Sequence, residues 1–120
     1  MNLMEAIARE EGYYVLGGRA NRNNNPGDIE YGQFASTHGA TRIELLPAPR
    51  TPRFAYFPDV KTGFEAMRQL LILHYKGMTV SQALNKYAPP VENETNSYIA
   101  NVCKWVGCTP DTIVDSLLGE

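Results

Sequence analysis

Two adjacent carboxylates, Glu10 and Glu11, stand at the end of an amphipathic stretch and are followed at once by Gly12. Acidic side chains are disfavoured there, because the unpaired carbonyls at a helix C-terminus carry the negative end of the helix dipole. Apolar residues at positions 3, 4, 7 and 8 form one face of this helix, which we predict over residues 2–11. Continuing that face places Glu11 among apolar groups and Glu10 further round toward solvent.

A carboxyl group held beside apolar side chains has a raised pKa, since burial disfavours its charged form. Such a group can act as an acid near neutral pH, which is the task of the general acid in a glycosidase. The alternative is that both glutamates are solvated acids at a frayed helix end. The position of Glu11 on the apolar face favours the first interpretation for Glu11 and the second for Glu10.

The chain continues with a polar loop and a predicted small sheet. The loop, residues 17–27, is rich in asparagine and glycine, and asparagine side chains order such turns by bonding their own backbone. Three stretches that alternate apolar and polar residues follow, at 28–32, 41–47 and 53–58. They predict a three-stranded antiparallel sheet.

The second half of the chain predicts helices. Thr62 with Glu65, and Thr79 with Gln82, have the spacing of capping boxes, so we expect helices to start there. A third helix lies within residues 91–107 and ends at a glycine, and Thr109-Pro110 predicts the start of a last one through residue 118. The fold class is therefore α+β, mainly helical, in a single domain over residues 1–120.

Composition excludes several classes of function. A net charge of -2 gives no strong positive field, so nonspecific nucleic-acid binding has little support, with a local basic patch as the alternative. The longest apolar run, residues 70–75, is too short to cross a bilayer. His38 and His74 form no metal motif. Cys103 and Cys108 are expected to be free thiols, with a disulfide as the alternative.

The order of these elements resembles the lysozyme-like superfamily, in which the catalytic glutamate ends a helix and a β-hairpin forms one wall of the sugar cleft. Four segments are more closely similar to phage and bacterial muramidase or lytic-transglycosylase domains of the endolysin type: RNNNPGDIEYG, GATR, RFAYFPDVKTGFEAM and KYAPPVENETNSYIANV. Their order and spacing carry the resemblance over nearly the whole chain. It implies a lysozyme-like fold with Glu11 as the general acid.

The resemblance also implies contacts to sugar groups by Asn24, Asn25, Tyr31, Asn93 and Tyr98. The asparagines of the loop could instead cap their own turn, and Tyr98 could instead be a core ring with a polar edge. Asp28 stands where the resembling domains usually have asparagine. It introduces a carboxylate that could serve as a second catalytic group.

We therefore expect cleavage of the β-1,4 bond between N-acetylmuramic acid and N-acetylglucosamine in peptidoglycan, without metal or other cofactor. A second carboxylate about 6.5–9.5 Å from Glu11 would invert the anomeric centre, and one at about 5 Å would act as a nucleophile. Without a second carboxylate, the substrate's own acetamido group would assist. The products are either hydrolytic or 1,6-anhydro sugars. The rival hypothesis is a noncatalytic glycan-binding or virion structural domain of the same fold.

The expected partner is the peptidoglycan glycan strand, with no nucleic acid and no membrane insertion, and we expect a monomer. The N-terminus has neither the basic start nor the apolar stretch of a signal peptide. We therefore expect an enzyme that reaches the bacterial cell wall through a holin, on a virion, or as part of a larger protein.

Overall fold

Residues 1–119, which the computed structural model describes, form six α-helices, one 3₁₀-helix and a two-stranded antiparallel sheet. Residue 120, the last of the predicted domain, lies outside the described residues. The fold is of the α+β class. The elements are α1 (Leu3–Glu10), α2 (Arg19–Arg22), α3 (Gln33–Thr37), β1 (Arg42–Ile43), β2 (Ala55–Tyr56), α4 (Val60–Tyr75), α5 (Val80–Tyr87), α6 (Thr95–Val106) and the 3₁₀-helix Val114–Leu117.

Helix α1 packs against α6 and α4 around one main core. It starts with a capping box, in which Asn2 and Glu5 each accept a hydrogen bond from the other's backbone amide. The apolar face predicted for α1 is buried, and Gly12 ends the helix in the left-handed region at φ +81°. Among helices within residues 1–119, none is long and apolar enough to cross a membrane.

The predicted three-stranded sheet is wrong in its extent. β1 and β2 pair over two residues each, and the third predicted strand is reduced to a single bridge between Glu30 and Phe54. The backbone of Asp28 is left-handed (φ +49°) on one side of this bridge, and α3, which the sequence analysis did not predict, begins at Gln33 on the other. Only the few residues between Asp28 and the start of α3 can therefore adopt an extended conformation.

Helix α4 begins one turn earlier than its predicted cap at Thr62. The N-cap is Asp59, whose carboxylate accepts a hydrogen bond of 2.7 Å from the Thr62 amide. Aspartate is as good an N-cap as serine and stabilises the positive end of the helix dipole. The capping box predicted at Thr79 and Gln82 is confirmed at the start of α5, and so is the glycine cap of α6 at Gly107.

The helix predicted from Thr109 is also wrong, apart from the short 3₁₀-helix. Residues 109–113 run beside the start of α5 and satisfy its first amides: Val80 N donates to Thr112 O at 2.8 Å, and Ser81 N donates to Pro110 O at 3.0 Å. Carbonyls used in this way cannot also form a regular helix. This segment therefore caps the N-terminus of α5 with backbone carbonyls.

The asparagine-rich loop, ordered as predicted, lies directly on the first turn of α4. It contains the short helix α2, and its residues 24–26 approach Gly63 so closely that a β-carbon there would lie 1.9 Å from the carbonyl oxygen of Asn24. Only glycine permits this contact. The loop that carries Asp28 is thereby seated on the longest helix.

We predict that Gly63→Ala lowers the free energy of unfolding by about 2 kcal/mol or more, because the methyl group must displace backbone and not a flexible side chain. Chemical denaturation measures the loss. The matched control is Gly32→Ala, since a β-carbon at Gly32 meets nothing within 4 Å. Equal stability of the two variants would contradict the close approach.

Candidate active site

A cleft of about 840 Å³ runs between the loop that follows α2 and the end of α5. Residues 27–30 and Phe54 form one wall, and Tyr75, Tyr87 and the segment that contains Asn93 form the other. Glu11 reaches the cleft from the end of α1. The lining combines aromatic rings with charged side chains.

The adjacent glutamates at the end of α1 both bind α6. Glu11 accepts a hydrogen bond of 2.8 Å at Oε2 from the Tyr98 hydroxyl, and Glu10 accepts one of 2.6 Å at Oε1 from the Asn101 side-chain amide. Tyr98 and Asn101 are three residues apart, so they lie on the same side of α6. Donors from a neighbouring helix thus offset the unfavourable position of two acids at a helix C-terminus.

Burial raises the pKa of Glu11 from its ordinary 4.5 to about 7. The hydrogen bond from Tyr98 opposes this, because it stabilises the charged form. The neighbouring Asp28 carboxylate also contributes to the raised pKa, while the charge of Arg19 lowers it. Glu11 is therefore a half-buried acid that retains its proton at mildly acidic pH.

Asp28 is held beside Glu11 by a two-point contact with Arg19. The Nε and Nη2 atoms of Arg19 lie 3.3 and 2.9 Å from the two carboxylate oxygens of Asp28. The Asp28 side chain is only 6% exposed, and its left-handed backbone turns it toward the cleft wall. Aspartate tolerates that conformation better than most residues do.

The neighbouring asparagines support this wall from within the loop. Asn25 is fully buried: its amide donates to Ile29 O and Ala55 O, and its oxygen accepts from Ile29 N, all at 2.9 Å. Asn24 donates to Phe57 O at 3.0 Å. These bonds tie the loop to the sheet and fix the backbone on both sides of Asp28.

Another acid, Glu44, is buried beside the sheet, where it accepts backbone hydrogen bonds, and it does not line the cleft. Its burial would raise its pKa, but hydrogen bonds from the backbone amides of Phe54 and Arg53 and from the Asn23 side chain outweigh that effect and hold the pKa below its ordinary value. Glu44 is a carboxylate that joins β1 to the chain entering β2. The surroundings of Glu44 therefore lower its pKa, whereas those of Glu11 raise the pKa of that group.

The structure separates the predicted site residues into three groups. Glu11, Asp28 and Asn93 line the cleft. Tyr98 is buried behind Glu11 and hydrogen-bonds to it, and Asn24 and Asn25 bond to nearby backbone carbonyls. The contacts to sugar predicted for these three residues stay predictions. Tyr31 is 40% exposed and lies outside the lining.

The basic side chains of the cleft were not predicted from the sequence. Arg19, Arg53 and Lys86 all line it. Arg53 makes exposed ion pairs with Glu30 at 3.0 Å and with Glu92 at 3.9 Å, which joins the two walls. No local pattern identifies these residues, because each acquires its partner only when distant segments meet.

Cys103 and Cys108 are free thiols, as predicted. Across residues 1–119, no three histidine, cysteine or acidic side chains are grouped so that they could hold a metal ion. Comparison of the chain with protein-family models and with curated proteins finds no match. The assignment of a function therefore depends on the geometry of the cleft.

The raised pKa of Glu11 predicts how stability depends on pH. A folded state that binds the Glu11 proton more tightly than the unfolded chain gains stability that is fully present below pH 4.5 and is lost as the pH rises through about 7. Glu11→Gln should therefore be more stable than the parent at pH 8, by at most about 3 kcal/mol, and should lose that advantage at pH 4.

Denaturation of the parent and of Glu11→Gln at both pH values measures this difference. Glu10→Gln is the matched control, because it removes a carboxylate from the same helix end. Titration of the Glu11 carboxyl at its ordinary value, followed by NMR, would contradict the prediction.

Proposed function

We propose that the protein is a lysozyme-like glycosidase that cleaves the β-1,4 bond between N-acetylmuramic acid and N-acetylglucosamine in bacterial peptidoglycan. The observation that carries this proposal is the Glu11 carboxyl, which lines a cleft of polar and aromatic side chains and has a pKa of about 7. At mildly acidic to neutral pH this group has a proton to donate to the leaving oxygen. Its position at the end of α1 agrees with the resemblance to lysozyme-like domains.

The lining of the cleft suits a saccharide. Aromatic rings of Phe34, Phe54, Tyr75 and Tyr87 line it beside charged and amide side chains. Sugar rings have apolar faces and polar rims, which match such a surface. The volume of the cleft, about 840 Å³, is within the usual range for ligand sites. The partner in this proposal is the peptidoglycan glycan strand.

The position of Asp28 argues for a single catalytic acid. Its charge acts on Glu11 and helps to raise the pKa of that group, whereas a second catalytic carboxylate must be free to activate water or to attack the sugar. Both Asp28 oxygens already face Arg19. We therefore assign Asp28 as a positioning residue that keeps Glu11 protonated, and we assign stabilisation of the developing charge to the substrate's acetamido group.

Two outcomes follow proton donation by Glu11. Attack by water gives hydrolysis, and attack by the 6-hydroxyl of the muramic acid gives a 1,6-anhydro product. The proposal includes both, and it needs no metal or organic cofactor. The protein would act as a monomer at the cell wall, reached through a holin, on a virion or within a larger protein.

The rival hypothesis, a noncatalytic glycan-binding or virion structural domain, needs the cleft but not the acid. Burying a carboxyl group beside another one costs stability. A binding module would obtain the same sugar contacts from an amide at position 11. The retained acid is what favours an enzyme.

We predict that Glu11→Gln abolishes cleavage of purified cell walls, with a loss of at least about a hundredfold, because the amide keeps the hydrogen bond from Tyr98 but has no acidic proton. The assay is mass spectrometry of the released muropeptides, which reports the bond cleaved and any anhydro ends.

Glu10→Gln is the control for that assay. Its amide oxygen can still accept from Asn101, so we expect activity near that of the parent. Activity of Glu11→Gln within a few-fold of the parent would refute the assignment, and an inactive parent that still binds glycan would favour the rival.

Asp28→Asn should change the pH profile more than the maximal rate. Removing the charge of Asp28 lowers the pKa of Glu11, so the alkaline limb of activity moves to lower pH, while activity near pH 5 stays within about threefold of the parent. Rates measured from pH 4 to 9 provide the test. Loss of several orders of magnitude at every pH, with an unchanged melting temperature, would instead indicate a two-carboxylate mechanism.

A further inference from the structure

A second depression, of about 380 Å³, opens beside the cleft. It shares Arg19, Arg53 and Phe54 with the cleft lining, so the two are continuous. The remaining lining residues come from the segment between β1 and β2 and are Glu44, Leu46, Arg50 and Thr51. We call this depression the arginine pocket.

Two of the three guanidinium groups of the arginine pocket lie against one ring. The Cζ atoms of Arg19 and Arg53 lie 4.0 and 5.0 Å from the centroid of Phe54, and the ring itself is buried. Such stacking fixes the orientation of each guanidinium plane. Arg19 and Arg53 already pair with Asp28 and Glu30 through Nε and Nη2, so within residues 1–119 only Nη1 of each has no partner.

Arg50 adds a cation without a counterion. It is exposed, and within residues 1–119 its side chain makes no ion pair and no hydrogen bond. The acid of the pocket, Glu44, is 2% exposed, and its oxygens accept from the amides of Arg53 and Phe54. Glu44 is thus occupied internally and does not neutralise Arg50.

We propose that the arginine pocket binds a carboxylate of the peptide stem that the muramic acid residue carries, and this proposal rests on the proposed function. The peptide stems project sideways from a glycan strand. Because the arginine pocket opens from the side of the cleft, a stem of a strand bound in the cleft could enter it. Guanidinium forks match planar carboxylates, often through two parallel hydrogen bonds. The apolar side chains of Leu46 and Phe54 suit the methylene and methyl groups next to such a carboxylate, which favours an amino-acid carboxylate over inorganic phosphate.

The first test measures binding without turnover. The probes are an N-acetylated stem tetrapeptide with free carboxylates and the same peptide with its carboxyl groups amidated, titrated into the parent and followed by NMR. We expect the acid form to bind and the amide form to bind at least about fivefold more weakly. Arg50→Gln should weaken binding of the acid form by a similar factor.

Arg9→Gln is the matched control. Arg9 is also exposed, and it stacks on Trp105 at 4.2 Å, outside both the cleft and the arginine pocket. It should bind the acid peptide as the parent does. Equal binding of acid and amide peptides, no effect of Arg50→Gln, or binding of inorganic phosphate but not of the peptide would each overturn the proposal.

A second test separates this proposal from the proposed function. The parent and Arg50→Gln are assayed on cell-wall glycan with its stems and on the same glycan after an amidase has removed them. We expect Arg50→Gln to lower the ratio of kcat/KM on stem-bearing to stem-free glycan at least about fivefold. A parent that cleaves both glycans, with an unchanged ratio in Arg50→Gln, overturns the arginine pocket alone; a parent that cleaves neither refutes the glycosidase.

Discussion

The junction between the end of α1 and the middle of α6 is stabilised by hydrogen bonds to two acids that helix electrostatics disfavours there. Glu10 binds Asn101 and Glu11 binds Tyr98, so α1 and α6 are joined through side chains as well as through their apolar faces. Burial at this junction raises the pKa of Glu11 and outweighs the opposite effect of the hydrogen bond from Tyr98. Packing of two helices and tuning of one acid are therefore a single physical arrangement.

The second constraint is the seating of the asparagine-rich loop on α4. Because Gly63 has no side chain, the loop reaches the helix backbone, and Asn25 then ties it to β2. Tyr87 donates from the end of α5 to the carbonyl of Gly27, so the loop is fixed from the other side as well. Asp28 follows directly, and its distance from Glu11 is set by these contacts and not by any local preference.

Local signals in the sequence were sufficient for part of this arrangement. The apolar face of α1, its glycine stop and the cap of α5 involve neighbours within a few residues, and each was predicted correctly. The start of α4, the third strand and the last helix were predicted wrongly, because Asp59 competes with Thr62 as a cap and residues 109–113 satisfy the amides of α5. For the site, the apolar stripe indicated Glu11, whereas the pairing of Asp28 with Arg19 depends on a fold that local patterns do not encode.

The partners of Glu11 are widely separated along the chain: Asp28 is 17 residues away and Tyr98 is 87 residues away. In a nascent or unfolded chain, residue 11 is an ordinary solvated glutamate, ionised at neutral pH. It acquires its raised pKa only after α6 has docked onto α1. The protonation state of Glu11 at neutral pH is therefore a property of the assembled fold and not of the local sequence.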